Sequence, residues 1–74
     1  MSVQDLLIVG VRVEVVWHTD YVGQRGRIIR LLSLGRNYHD LYDVDLDDIP
    51  MPYGFRAYEL RPLHPLESLA EVAE

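Results

Sequence analysis

Between residues 11 and 63 the chain repeatedly alternates apolar and polar residues, and breaks each run with glycine, proline or asparagine after roughly eight to twelve residues. Val11, Val13 and Val15 fall on one face of an extended segment and Arg12 and Glu14 on the other, and the pattern continues through Val16 to Trp17. Successive side chains of a strand point to opposite faces, so this spacing predicts a half-buried strand. The stretch HTDYVGQRG breaks both periodicities at Gly23 and Gly26 and reads as a loop into a second strand, residues 27–33, RIIRLLS. That strand lacks clean alternation, which predicts a bend at a bulge with both faces partly covered. LGRN, residues 34–37, carries Gly35 and Asn37, which tolerate positive φ, and reads as a hairpin tip.

The return strand sets Tyr42, Val44 and Leu46 against Asp43, Asp45 and Asp47, one apolar face and one acidic face. IPMPYG, residues 49–54, cannot continue a ladder through two prolines and reads as the next turn. FRAY then resumes the alternation, YEL predicts a single tight helical turn, and RPL ends the core with a proline suited to a sheet edge. The expected fold class is therefore all-β, in five short strands.

A chain of 74 residues supports one small core, and 49% hydrophobic against 26% charged residues is enough to fold it. There is no cysteine, hence no disulfide framework or thiolate metal site, and a reducing, cytoplasmic setting is expected. The longest apolar run, beginning at Leu6, is stopped by Arg12, well short of the roughly 20 residues that span a membrane, and no basic segment precedes it as in a signal peptide. Residues 1–10 form an N-terminal arm, open between a capped helical turn from Ser2 and an added strand. Residues 64–74 form a short amphipathic C-terminal helix or tail, with Pro65 at the first helical position, Leu66, Leu69, Ala70 and Ala73 at helical spacing and Glu67, Glu71 and Glu74 facing away. About ten residues are marginal as an isolated helix, so the leucine stripe predicts packing, including homo-oligomerisation through this segment.

Val9 to Leu32, VGVRVEVVWHTDYVGQRGRIIRLL, resembles the KOW motif and the wider set of SH3-like small β-barrels, in which a glycine precedes an alternating strand and a loop ending in glycine, two residues and glycine feeds a bent strand. Gly10, Val13, Val15, Gly23, Gly26, Ile28 and Leu31 carry the likeness, and YDVDL and FRAYELRPL look like the closing strands. The resemblance implies a five-stranded SH3-like barrel over residues 11–63. It also implies a module that binds nucleic acid or protein, as in ribosomal proteins and elongation factors.

Several residue groups are candidates for chemistry. Arg25, Arg27 and Arg30 form a basic cluster that Arg36 extends, and with Tyr21 and Tyr38 they provide cations for phosphate and rings for stacking. The net charge of −5 opposes unaided binding to a polyanion. The two glycines do not make a phosphate loop, because β-rich sequence follows Gly26 and no lysine with a neighbouring serine or threonine is present. Asp43, Asp45 and Asp47 open like a calcium loop, but the sixth position is Asp48 instead of glycine and the twelfth is Gly54 instead of glutamate. Strand geometry makes them a solvated face. His18, His39 and His64, with Asp20 and Asp40, lack the helical spacing of a zinc protease and have no marked nucleophile. Of the aromatic residues most are expected in the core. Tyr21, Tyr53 and Tyr58 are the candidates to line a peptide groove at the barrel rim.

The resulting expectation is a non-catalytic binding module, without cofactor or metal, docking onto a protein or nucleoprotein complex. KOW-like contact with RNA or DNA is the alternative. An enzyme assembled from several small barrels, as in the plasmid-type dihydrofolate reductases, is a third reading, and the VQIY segment of that family is absent here.

Overall fold

The computed structural model describes residues 7–37, 39–64 and 66. Tyr38, the start of the N-terminal arm and nearly all of the expected C-terminal helix lie outside the described residues. The chain is all-β: β1 (Arg12–Val15), β2 (Arg25–Ser33), β3 (Leu41–Leu46), β4 (Tyr53–Arg56), a 3-10 turn at Ala57–Glu59, and β5 (Leu60–Pro62). All pairings are antiparallel in one open five-stranded sheet ordered β4-β3-β2-β1-β5. No described helix is long and apolar enough to cross a membrane.

β4 and β5 are opposite edges of this sheet, yet only the 3-10 turn separates them in sequence. Four inter-strand gaps of about 4.8 Å exceed what so short a link spans, so the sheet must curl. Its concave face holds the core, where Val13, Val15, Ile28, Val44, Leu46 and Phe55 are all below 2% exposed. Val13, Val15, Val44 and Leu46 are on the face where the alternation places them. Leu7 of the N-terminal arm is also buried in this cluster, with Ala57 and Leu60 closing it from the 3-10 turn and β5. Tyr42 joins them, and burial pushes its phenol pKa up, assisted by the charge of Asp40.

Four expectations are corrected. The first strand stops at Val15 and does not reach Trp17: the Val16 amide still bonds the Glu59 carbonyl (2.8 Å), one step past the Val15–Leu60 pair, but there the partner chain is already the 3-10 turn that precedes β5, and β1 has no described strand to follow further. The second begins two residues early, at Arg25, and its register shifts between Ile28 and Arg30 and again between Leu31 and Ser33, so the bend is present. Its second half is partly covered, with Ile29, Leu31 and Leu32 39%, 42% and 45% exposed. β4 starts at Tyr53, inside the segment expected to be turn. At the hairpin tip Asn37 has the positive φ (54°), whereas Gly35 serves close packing, since a Cβ there would lie 2.6 Å from the His39 carbonyl oxygen.

Candidate binding groove

The β2–β3 hairpin, the segment after β1 and the 3-10 turn converge at one end of the sheet, held mainly by main-chain bonds. The Val16 amide donates to the Glu59 carbonyl, and the Ala57 amide to the Asp40 carbonyl (both 2.8 Å). The Arg56 guanidinium reaches the His39 carbonyl (2.9 Å), and the Arg56 amide is capped by Glu59 Oε1 (2.8 Å). Within the hairpin, buried Asp40 accepts the Gly35 amide on Oδ1 (2.6 Å). Three segments far apart in sequence are thereby fixed to one another before any ligand arrives.

Their side chains form an open groove of about 550 Å³ lined by Trp17, Asn37, His39 and Tyr58. The Trp17 and Tyr58 rings meet at 5.3 Å between centroids, tilted by 51°, and His39 stands edge-on to Tyr58 at 5.0 Å. Trp17 is 62% and Tyr58 41% exposed. A second hollow of about 410 Å³ shares Trp17 and is lined further by His18, Thr19 and Glu59. The groove thus offers flat apolar area with amide and imidazole hydrogen-bonding groups at its rim.

The candidate tyrosines separate. Tyr58 lies in the groove, whereas Tyr21 and Tyr53 stack at 4.8 Å in a neighbouring cluster with His18 and Phe55. His18 Nδ1 accepts the Asp20 amide (3.1 Å), which orders the loop between β1 and β2. His18 joins this cluster to the hollow beside Trp17. Trp17, Asn37 and His39 were not among the residues singled out for binding. Among the described residues no three histidine, aspartate or glutamate side chains converge as metal ligands.

Arg25, Arg27 and Arg30 lie on β2, away from the groove, and interleave with the acidic face of β3 instead of standing apart from it. Arg30 binds Asp43 (2.8 Å), Arg27 opposes Asp45 in register and donates to the Gly10 carbonyl (2.7 Å), and Arg25 binds Glu14 (3.0 Å), which Arg61 also approaches (3.4 Å). Arg12 makes two bonds of 2.7 Å to the two carboxylate oxygens of Asp47. Arg36 is exposed on the hairpin beside the groove.

The Arg12 hydrogen bond holds the Asp47 carboxyl below its ordinary value of 3.8; partial burial opposes this, and the charges of Arg12 and Arg27 support it. A folded-state pKa below the unfolded one adds stability above the unfolded pKa, and that stability is lost as pH falls through the folded value. The Asp47 side chain is 48% exposed, so solvent screens the bridge. Asp47→Asn is expected to cost under about 1 kcal/mol at neutral pH. The difference should vanish in strong acid, as urea unfolding of both proteins at the two pH values would show.

No protein-family model matches the chain, and neither a curated protein nor a solved structure matches it.

Proposed function

We propose that the chain is a non-catalytic binding module of SH3-like barrel type whose partner is a protein, alone or within a nucleoprotein complex. The partner lies as an extended segment across Trp17, Asn37, His39 and Tyr58. The carrying observation is the Trp17–Tyr58 pair, two large rings in mutual contact that are left 62% and 41% exposed and line one groove together. Exposed aromatic residues on a fixed frame are the usual anchors of protein interfaces. The clips among the three segments support the same reading, because a groove already ordered loses little entropy on binding. The strand order, with a 3-10 turn between the last two strands, supports the barrel assignment. The arginines favour protein over nucleic acid, since Arg25 and Arg30 form ion pairs within the sheet and a polyanion would compete with those carboxylates.

Selection from a library of random extended peptides tests the reading. Peptides that bind the parent chain are expected to lose at least about 30-fold in affinity to Trp17→Ala or Tyr58→Ala, the range of an interface hot spot. Tyr53→Phe should leave affinity unchanged. A library that yields no binder, or binders indifferent to both alanine variants, would contradict the proposal.

A further inference from the structure

We propose that residues 29–33, the second half of β2, are the surface on which two copies of this chain pair, edge to edge and antiparallel. β1 accompanies β2 only to Arg27, and two further bonds, Ile28 amide to Val11 carbonyl and Gly10 amide to Ile28 carbonyl, end that contact. The chain before β1 then turns away, the Val11 amide closing on the Ile8 carbonyl (3.1 Å) while Leu7 enters the core. From Ile29 onward β2 pairs with β3 on one side and with no described strand on the other.

The composition of this edge sets it apart from the other two. β4 follows Pro50 and Pro52 and ends in Arg56; β5 has three residues, of which Arg61 is charged and Pro62 has no amide hydrogen. Short strands, charges and prolines are how sheet edges avoid unwanted pairing. The free half of β2 has no proline, and its one charge, Arg30, is bound to Asp43 of the same chain. Its apolar side chains are exposed: Ile29, Leu31 and Leu32, followed by Leu34 at 80%, with Ile8 and Val9 at about 60% on the turn hydrogen-bonded beside it.

A second copy is the occupant that this strip fits. A two-fold axis across residues 29–33 sets the strip against itself, which gives antiparallel pairing and an apolar-to-apolar contact with Arg30 neutralised in each copy. The six apolar side chains expose on the order of 500 Å² per copy, so a pair approaches the roughly 1,000 Å² that a specific interface requires. The pairing leaves the Trp17–Tyr58 groove out of the interface, so the two surfaces are testable separately.

Sedimentation equilibrium of the full chain from micromolar to millimolar concentration is the test, with amide hydrogen exchange in parallel. The expected result is a mass rising from 8.6 kDa toward twice that value, with the amides of residues 29–33 becoming protected as the pair forms. Leu32→Lys and Leu34→Glu should each weaken pairing by about tenfold or more by placing a charge in the contact. Their thermal midpoints in dilute solution should stay close to that of the parent, which separates lost pairing from lost folding. A monomer at millimolar concentration, or a dimer indifferent to both variants, would overturn the proposal. Protection of residues 29–33 that does not depend on concentration would also overturn it, because another part of the same chain would then cover the edge.

Discussion

Phe55→Ala should remove about 3–5 kcal/mol of stability, the largest loss expected of any single substitution in the core. Phe55 is the largest of the fully buried side chains and has no exposed surface. It packs against Tyr53, Tyr21 and His18 at ring separations of 5.1, 6.0 and 5.3 Å, so its loss opens a cavity under the loop that follows β1 as well as in the core. Truncation of a buried phenylalanine costs about 3–5 kcal/mol. A domain of this length has only about 4–11 kcal/mol of total stability. Urea unfolding followed by far-ultraviolet circular dichroism measures the loss directly. Phe55→Leu, which keeps most of the volume, should cost about 1–2 kcal/mol and remain folded. Equal stability of Phe55→Ala and the parent would refute this packing.

The second large effect falls on one of two glycines three residues apart. Gly26 is paired on both sides, to Val13 of β1 and to Leu46 of β3. A Cβ there would lie 2.8 Å from the Leu46 Cα and against the Asp45 carbonyl. Both obstacles are backbone, so relief requires the central strands of the sheet to part. Gly26→Ala is therefore expected to cost about 2–4 kcal/mol. Gly23 has a φ of +92° with open space where a Cβ would go, so Gly23→Ala carries only backbone strain of about 1–2 kcal/mol. Thermal unfolding of the two alanine variants separates the two causes. An equal midpoint would show that close packing at Gly26 does not govern the sheet.

The sequence and the structure agree where local periodicity is the cause. Val13, Val15, Val44 and Leu46 are buried because alternation in strands of this length leaves them no other face, the tight turn expected at YEL forms one residue earlier, at Ala57–Glu59, and the proline at the edge of β5 sits where its local chemistry places it. The disagreements arise from contacts between distant segments. Trp17 reads as the continuation of an alternating strand, but the partner of that strand gives way to the 3-10 turn at Glu59, and Trp17, past the last bond from Val16, is left in solvent. The arginines and aspartates read as two separate charged regions, because the register that sets Arg27 opposite Asp45 depends on pairing between β2 and β3. Tyr58 was accessible to sequence reasoning as an aromatic residue in a tight turn. His39 and Asn37 were not, since their place in the groove follows from the clip between Arg56 and the hairpin.

The most direct measurement of the proposed role is the two-dimensional amide NMR spectrum of isotope-labelled chain titrated with a selected peptide. The account predicts the largest shifts at the Trp17 indole and at the amides of Asn37, His39 and Tyr58, with Arg25, Arg27 and Arg30 nearly still. Largest shifts along β2, produced at low salt by a short RNA oligonucleotide and by no peptide, would contradict it and move the binding surface to the arginines.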